Sequence, residues 1–306
     1  MAHNLVTSSD FLIIGCTSEI GSGVLKNLLS LGYRVDGIRY MSACNLRNEN
    51  HRCVSMDLLS ANLDDLPSIF NPKILVLASW YTEHGQFWES SLNTKWFEMY
   101  KKLCQKFSAS GTKGIVGFGS CAEYSWEGNL RISELSETSP KSLYGVEKLR
   151  LFKWLNTEFQ NLLWVRPFFV FGPADHPTKL IKSALISKKN MSSVRIINSN
   201  DSIDYIYIED VIELSTKLIL IQARGVFNLG TGRPLTSVEI MDVVGCDYEL
   251  GINHEGLSPK FVVANNEKVT RLLGPIDWTS LERGVSNMLN SEDFSLIDNG
   301  GKSDQV

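Results

Sequence analysis

Two residues at the start of a predicted helix have side chains suited to acid–base chemistry. Tyr144 and Lys148 are four positions apart, so an α-helix places both on one face. A free tyrosine has a pKa of about 10, which is too high for proton exchange at neutral pH, and a nearby ammonium favours the phenolate. The pair therefore indicates a tyrosine that acts as general acid or base. The same spacing is also typical of a solvated helix face with no chemical role.

Ser120 supplies a hydroxyl that could orient a substrate. It follows the apolar segment Gly114–Gly119, which predicts a buried strand. The carboxyl ends of parallel strands form the edge at which such sheets bind ligands. A hydroxyl at that edge could hydrogen-bond the substrate oxygen that Tyr144 protonates.

A glycine-rich turn near the N-terminus has the composition of a phosphate site. Gly15, Ser18 and Gly21 lie between the apolar run Phe11–Ile14 and an amphipathic helical pattern, so they connect the first strand to the first helix. Backbone N–H groups and the positive helix end attract an anion there. Ser18 stands where a glycine allows the closest approach of a pyrophosphate, and an ordinary strand–helix turn is the alternative. The position of the turn in the chain favours dinucleotide binding.

The end of the second predicted strand bears on which dinucleotide binds. The strand Arg34–Arg39 ends in a guanidinium, and Asp36 lies too early to reach a ribose. A carboxylate at the strand end is typical of NAD sites, whereas an arginine binds the 2′-phosphate of NADP bidentately. Arg39 therefore favours NADP(H), with NAD(H) possible, although an exposed arginine at a strand end is common.

Composition and patterning predict the framework that positions these residues. The chain has 306 residues, 43% of them hydrophobic, and a formal charge of −4, so it lacks the basic surface of a nucleic-acid-binding protein. Short apolar runs alternate with helical patterns, which predicts an α/β fold with a doubly wound parallel sheet. No apolar run reaches the about 20 residues of a membrane helix, and no signal pattern opens the chain, so we expect a cytoplasmic protein without a membrane partner. The six cysteines form no CxxC or CxxxC pair, which argues against a metal site.

The predicted domains follow from these elements. We expect a Rossmann-type dinucleotide-binding domain over residues 1–166, with residues 203–230 returning to it, and Ser202–Ile208 as a strand of its sheet. A smaller substrate-binding lobe is expected from residues 167–202 and 231–290. Residues 291–306 are polar and glycine-containing, which predicts a disordered tail.

Several blocks of sequence together resemble the extended short-chain dehydrogenase/reductases, the NAD-dependent epimerase/dehydratase family that acts on nucleotide sugars. In chain order they are Gly15–Gly21, Met56–Leu58, Leu77–Ser79, Asn93, Ser120–Tyr124, Tyr144–Lys148, Arg166–Pro173, Asp204–Val211 and Val226–Gly232. The resemblance implies Ser120, Tyr144 and Lys148 as catalytic residues. The expected cofactor-binding residues are Gly15, Ser18, Glu19, Ile20, Gly21, Arg39, Asp57, Leu58, Ala78, Ser79, Tyr144, Lys148 and Pro167. A homodimer through the helices near Trp96 and Tyr144–Phe159 is also implied.

The residues after Ser120 depart from the pattern of the family's 4,6-dehydratases. Those enzymes carry an Asp-Glu pair where this chain has Cys121-Ala122, so dehydration is not expected. In an extended segment the side chain of Glu123 would point away from that of Ala122. Cys121 is one position away from the functional cysteine of relatives such as GDP-fucose synthase, which favours a packing role.

The remaining machinery suffices for hydride transfer at a carbon–oxygen centre. We expect reduction of a keto group, at C4, on a nucleoside-diphosphate deoxysugar. The alternatives are a nucleotide-sugar 4-epimerase that retains NAD and a non-catalytic NADP-binding regulatory protein. The candidate substrate contacts are Trp80, Cys121, Ala122, Phe169 and Lys179, although the aromatic segment Trp80–Glu89 is equally compatible with packing.

Overall fold

A computed structural model describes residues 8–128, 131–251 and 260–291, and the predicted tail beyond Ser291 lies outside the described residues. The strands are β1 (Ser8–Ile14), β2 (Val35–Arg39), β3 (His51–Ser55), β4 (Asn71–Leu77), β5 (Gly114–Phe118), β6 (Leu162–Pro167), β7 (Phe169–Phe171), β8 (Val194–Ile196), β9 (Ser202–Tyr207), β10 (Gly225–Leu229), β11 (Pro234–Leu235), β12 (Tyr248–Leu250) and β13 (Phe261–Val262). The helices are α1 (Glu19–Ser30), α2 (Leu66–Ile69), α3 (Leu92–Ala109), α4 (Leu143–Glu158), α5 (Leu180–Lys189), α6 (Ile208–Leu220), α7 (Ser237–Val244), α8 (Glu267–Leu273) and α9 (Leu281–Leu289).

A seven-stranded sheet in the order β3-β2-β1-β4-β5-β6-β10 forms the main framework. The neighbouring strands from β3 to β6 are parallel, and β1 pairs Phe11 with both Val35 of β2 and Ile74 of β4. The predicted α/β fold with a doubly wound parallel sheet is therefore confirmed. The strand order reverses between β1 and β4, and in such sheets ligands bind outside the carboxyl ends at that reversal.

The core of the first unit lies between this sheet and the helices that cover it. The central strands β1, β4 and β6 each contain a run of four apolar residues, as expected for a parallel sheet whose two faces are covered by helices. On α3 the buried residues recur every three or four positions, as an amphipathic helix requires, and they are Asn93, Phe97, Tyr100, Leu103, Cys104 and Phe107 with Met99. Through these residues α3 packs against β4 and α4.

The chain divides into two compact units that are discontinuous in sequence. The first contains residues 1–125, 134–167 and 211–228, and the second contains residues 126–133, 168–210 and 229–306. Within the described residues of either unit, no helix is long and apolar enough to cross a membrane.

The strand predicted over Ser202–Ile208 forms, but with different partners. β9 pairs with β7, β11 and β13 in a small sheet of the second unit, so the expectation that this strand returns to the main sheet is wrong. Asp204 explains the difference: its buried carboxylate accepts hydrogen bonds from the backbone N–H groups of Thr231, Gly232 and Ala264. Burial raises the pKa of Asp204, and these donors oppose the rise. The apolar pattern predicted a strand but carried no information about these distant donors.

Candidate active site

The turn after β1 is shaped so that only glycine fits at two positions. Gly15 has a φ of +84°, and a Cβ there would lie 2.5 Å from the Cβ of Ser79. A Cβ on Gly21 would collide with the carbonyl oxygen of Gly15. The turn therefore brings backbone, without side chains, to the N-terminal end of α1, which is the cradle that a phosphate needs. These residues fit the pyrophosphate of a dinucleotide.

Ser18 stabilises this turn from the position where a second glycine is usual. Its hydroxyl donates to the carbonyl oxygen of Ala78 at 2.8 Å and accepts from the N–H of Gly21 at 3.1 Å. Ser18 thus caps α1 and ties the end of β1 to the end of β4. Glu19 and Ile20 form the first turn of α1. Ser18 in place of a glycine weakened the sequence signal for a pyrophosphate site, and in the structure its hydroxyl is held by backbone groups.

Arg39 lies at the end of β2, as expected, and is partly held by the protein itself. One guanidinium nitrogen donates to the carbonyl oxygen of Ser42, while Nε is buried without a hydrogen-bond partner among the described residues. Asp36 is buried and pairs with Arg52 at 3.1 Å, so its carboxylate is not available to a ribose.

The other predicted cofactor residues lie around the same sheet edge. Asp57 is exposed, and its carboxylate accepts from the backbone N–H of Leu59 at 3.0 Å. Leu58 is part of the buried core, and Pro167 is buried at the end of β6. The hydroxyl of Ser79 lies 3.0 Å from that of the buried Tyr100.

Ser120 lies two residues after the end of β5 and caps a short turn of 3-10 helix, Cys121–Glu123. Its hydroxyl accepts from the N–H of Ala122 at 3.1 Å, and its own N–H donates to Oε1 of Glu123 at 2.9 Å. The Ser120 hydroxyl is also close enough to the hydroxyl of Tyr144 to lower its pKa. The structure thus brings together the serine and the tyrosine that the sequence singled out.

Tyr144 stands in the first turn of α4, which Ser142 caps by accepting from the N–H of Gly145 at 3.2 Å. The edges of two aromatic side chains meet its ring, Phe87 at a centroid distance of 5.0 Å and Trp88 at 5.8 Å. Burial raises the pKa of Tyr144, and the neighbouring Ser120 hydroxyl opposes the rise. The expectation that a nearby ammonium lowers this pKa is not met in the structure.

The surroundings of Lys148 explain why it does not lower the pKa of Tyr144. Its Nζ donates to the carbonyl oxygen of Phe118 at 2.6 Å and lies 4.3 Å from the ring centroid of Trp80. The ring centroid of Tyr144 is 5.7 Å away. Burial lowers the pKa of Lys148 to about 7, with the charge of Glu123 opposing. At neutral pH the ammonium is therefore only partly populated, and its effect on Tyr144 is weak.

Trp80 was expected to contact a substrate, and the structure places its indole beneath Lys148. The side chain is 9% exposed, and Nε1 donates to Oδ1 of Asn93 at 2.7 Å. The ring stacks with Trp96 and Tyr100. Its face provides the cation–π contact that holds Nζ of Lys148 in place.

The side chain of Glu123 is not oriented as the sequence predicted. The segment after Ser120 is a helical turn rather than extended, and Oε2 of Glu123 accepts from Nε of Arg166 at 2.8 Å. Trp164 donates to Oε1 at 3.1 Å. Arg166 and Glu123 form an ion pair at 2.7 Å in which both side chains are almost fully buried. The Ser-x-x-Glu spacing of Ser120 and Glu123 is that of a capping box and was the available signal.

The remaining predicted substrate contacts occupy different surroundings. Cys121 and Ala122 are buried in the turn after Ser120. Phe169 and Lys179 belong to the second unit. There the ring of Phe169 lies 5.9 Å from that of Tyr205, and Nζ of Lys179 pairs with Asp175 at 2.6 Å. As substrate contacts, all four stay predictions.

Several solved structures have a similar fold, and three of them are nucleotide-sugar enzymes or complexes. The UDP-N-acetylglucosamine 4-epimerase of Methanobrevibacter ruminantium M1, in complex with UDP-N-acetylmuramic acid, is 19% identical with a TM-score of 0.78, over 92% of this chain and 99% of that chain. MoeE5, in complex with UDP-glucose and NAD, is 21% identical with a TM-score of 0.77, over 94% and 99%. The UDP-glucose 4-epimerase of Thermotoga maritima, with UDP-glucose, is 20% identical with a TM-score of 0.76, over 94% and 99%. At these identities the likeness establishes the fold.

The sequence itself establishes the family. A search of curated proteins finds no match. The model of the NAD dependent epimerase/dehydratase family matches residues 11–230, a stretch that contains the glycine-rich turn, Ser120, Tyr144 and Lys148. The resemblance drawn from the sequence blocks is confirmed, and this chain belongs to the NAD dependent epimerase/dehydratase family.

Proposed function

We propose that the protein reduces a keto group, at C4, of a nucleoside-diphosphate deoxysugar, with Tyr144 as the proton donor. The bound nicotinamide dinucleotide supplies the hydride. The observation that carries the proposal is that Ser120 and Tyr144 are neighbours near the carboxyl end of β5, with the Nζ of the buried Lys148 hydrogen-bonded to the last carbonyl oxygen of that strand. This arrangement places two hydroxyl groups where one substrate oxygen can contact both.

The raised pKa of Tyr144 suits a proton donor. A phenol that is desolvated keeps its proton at neutral pH, so it is ready to protonate an oxygen on which negative charge develops. Ser120 orients that oxygen by hydrogen bonding. Lys148, with a pKa of about 7, can be charged or neutral at neutral pH, and its charged form stabilises the phenolate that proton donation leaves behind.

The surroundings of Glu123 support reduction over dehydration. Elimination of water needs an acid and a base beside the sugar, and Glu123 is the carboxylate nearest in sequence to Ser120. Its oxygens already accept from the N–H of Ser120, from Trp164 and from Arg166. A carboxylate that is paired with a buried guanidinium is not free to exchange protons with a substrate.

We also propose NADP(H) as the preferred dinucleotide, because Arg39 ends β2 and Asp36 is paired with Arg52. The buried, unpartnered Nε of Arg39 leaves a donor for a phosphate oxygen. NAD(H) is the alternative. The family is described as NAD dependent, and MoeE5 was solved with NAD.

A nucleotide-sugar 4-epimerase is the second candidate, since two of the similar structures are UDP-sugar 4-epimerases. Epimerisation at C4 oxidises and re-reduces one carbon, so Ser120, Tyr144 and Lys148 would serve it equally. The two activities differ in stoichiometry, because a reductase consumes one reduced dinucleotide per product and an epimerase consumes none. The proposed substrate and the homodimer implied by the resemblance are both open to direct measurement.

The deciding experiment combines binding with turnover. Purified, nucleotide-free protein is titrated with NADPH and NADH, read by energy transfer from its seven tryptophans. It is then incubated with 4-keto-6-deoxyhexoses carried on UDP, dTDP or GDP, and with UDP-glucose and UDP-N-acetylglucosamine without added reductant. Tighter NADPH binding and equimolar NADPH consumption with one keto-sugar support the reductase. Interconversion of the UDP-sugars without consumption of dinucleotide overturns it in favour of the epimerase.

Arg39→Ser tests the basis of the dinucleotide preference. We expect NADPH affinity to fall by about tenfold or more while NADH affinity is nearly unchanged, since one charge-assisted hydrogen bond contributes about 1.5–3 kcal/mol. Arg34→Ser, on the exposed N-terminal side of β2, is the matched control. An equal loss of affinity for both dinucleotides would show that Arg39 does not bind the 2′-phosphate.

A further inference from the structure

Four side chains of types that can ligate metals lie near one another at the β2–β3 end of the main sheet. Cys16 lies in the turn after β1, Cys44 lies between β2 and β3, and His51 and Cys53 lie on β3. The sulfurs of Cys44 and Cys53 and one ring nitrogen of His51 are all within 4.8 Å of one another. Sγ of Cys44 is 3.5 Å from Nε2 of His51, and Sγ of Cys16 is 3.5 Å from Sγ of Cys53. We call these four residues the thiol–histidine cluster.

The sheet brings the cluster together from segments far apart in sequence. His51 and Cys53 are two positions apart on β3, so their side chains share one face. The residue paired with Cys53 on β2 is Gly37. A Cβ on Gly37 would lie 2.6 Å from Sγ of Cys16 and 3.3 Å from Cε1 of His51. The absence of a side chain at Gly37 therefore leaves the space that the cluster occupies.

The imidazole of His51 is oriented as a ligand. Its Nδ1 lies 2.8 Å from the carbonyl oxygen of Val35. A carbonyl oxygen only accepts, so Nδ1 is the donor, and in the neutral ring Nε2 carries the lone pair. Nε2 is the atom that faces Cys44. A backbone carbonyl that fixes the ring and its tautomer in this way is characteristic of histidines that bind metal ions.

We propose that Cys44, His51 and Cys53 bind a divalent cation, with Zn²⁺ as the expected ion. Cys16, whose sulfur lies 3.5 Å from that of Cys53 but outside the group of three, would become the fourth ligand by moving toward the ion. Bond lengths of about 2.3 Å to sulfur and about 2.0–2.1 Å to nitrogen place tetrahedral ligands about 3.8 Å (S–S) and 3.6 Å (S–N) apart. The Cys16–Cys53 sulfur distance and the Cys44–His51 sulfur–nitrogen distance, both 3.5 Å, are close to these values. Thiolate and imidazole together select zinc over the hard cations that carboxylates bind.

Charge in the surroundings fits the bound state. Three thiols lose their protons to solvent when they bind, so a Zn²⁺ with three thiolates and a neutral imidazole carries a net charge of about −1. The guanidinium of Arg39 acts electrostatically on Cys53 and is anchored to Ser42, in the same segment as Cys44. The cation would join the glycine-rich turn to β3 and to the segment that follows Arg39, as a structural site with four protein ligands.

The test measures metal directly on the full chain. Protein purified under reducing conditions is dialysed, and its metal content is measured by mass spectrometry before and after incubation with Zn²⁺. Co²⁺ is then added to metal-free protein, because tetrahedral thiolate-bound cobalt has a characteristic visible absorption. The variants are Cys53→Ser and His51→Gln. Cys246→Ser is the matched control, since Cys246 lies in the second unit and its sulfur donates to the carbonyl oxygen of Asp247, which a hydroxyl can replace.

We expect about one equivalent of zinc per chain in the wild type and in Cys246→Ser, and a tetrahedral cobalt spectrum in both. The Cys53→Ser and His51→Gln variants should retain at least tenfold less metal. Wild-type protein that retains no zinc and gives no cobalt spectrum overturns the proposal without any variant, so a variant that fails to fold does not affect the result. A Cys16–Cys53 disulfide found by mass spectrometry in protein that binds no metal would identify the cluster as a redox pair instead.

Discussion

The active-site region and the thiol–histidine cluster lie on the same sheet but differ in how their charged and polar side chains are compensated. Around Ser120 the charged side chains compensate one another, since Glu123 pairs with Arg166 and Lys148 is held by a carbonyl oxygen and an indole face. In the cluster, the sulfurs of Cys44 and Cys53 and a ring nitrogen of His51 lie within 4.8 Å of one another, and Arg39 acts on Cys53 electrostatically. Buried charge is therefore balanced within the protein at the first site, whereas the second has an arrangement that an added cation would complete.

Tyr144→Phe should have the largest effect and isolates the active-site region. The variant loses the phenolic proton but keeps the ring that contacts Phe87 and Trp88. We expect kcat on the keto-sugar to fall by about 10²–10⁴-fold, the range for removal of a general acid. Binding of the dinucleotide, measured by energy transfer, should change little. Tyr40→Phe is the control because Tyr40 is exposed, and full turnover by Tyr144→Phe would show that another group donates the proton.

Glu123→Gln tests whether the buried ion pair of Glu123 and Arg166 stabilises the protein. The variant leaves Arg166 charged and buried without its partner, which should cost about 3–5 kcal/mol of unfolding free energy. Glu98→Gln is the matched control, because the exposed pair of Glu98 and Arg150 contributes at most about 1 kcal/mol. Urea unfolding of both variants measures the difference. Equal stability would mean that the buried pair contributes no more than an exposed one.

Gly37→Ala tests the space on which the cluster depends. The added methyl group would press on Sγ of Cys16, and we expect a loss of about 1–3 kcal/mol in stability together with weaker retention of zinc. Gly114→Ala on β5 is the control, since its Cβ would meet only ordinary contacts, the nearest at 3.5 Å. Thermal unfolding and metal content are measured on both. Unchanged metal content in Gly37→Ala would contradict the inference that a methyl group at position 37 displaces the side chains of the cluster.

Lys148→Met tests the pH dependence of the active-site region. The folded-state pKa of Lys148, about 7, lies below its ordinary value of 10.5, so the folded protein binds fewer protons between these values. Wild-type stability should therefore rise with pH in this window, by about 1.4 kcal/mol per pH unit from this group. The variant lacks this rise. Its free energy of unfolding should therefore exceed that of wild type by most below pH 7, and the difference should vanish toward pH 10.5. A stability difference that is constant from pH 6 to 9 would contradict the lowered pKa.

The sequence was informative where function depends on neighbouring residues. Tyr144 and Lys148 share a helix face, and Gly15 and Gly21 share a turn, so their spacing carried the prediction. Contacts between distant segments were not visible in this way. Glu123 meets Arg166 and Lys148 meets Trp80 only after the sheet has formed, and the cysteines of the cluster are too far apart to show a metal-binding spacing. The lack of CxxC and CxxxC pairs therefore carried information only about cysteines that are close together in sequence.

The interleaving of the two units has a consequence for synthesis on the ribosome. The first unit needs α6 and β10 to cover its sheet, and Asn27 of α1 meets Thr216 of α6 across 189 positions in sequence. After residue 167 emerges, roughly sixty more residues must be translated, which takes about 3–12 s at 5–20 residues per second. Throughout that interval the outer edge of β6 has no neighbouring strand, so a nascent chain exposes an unpaired strand edge. Chaperone contact with the emerging chain should therefore concentrate on this interval and end once β10 has docked.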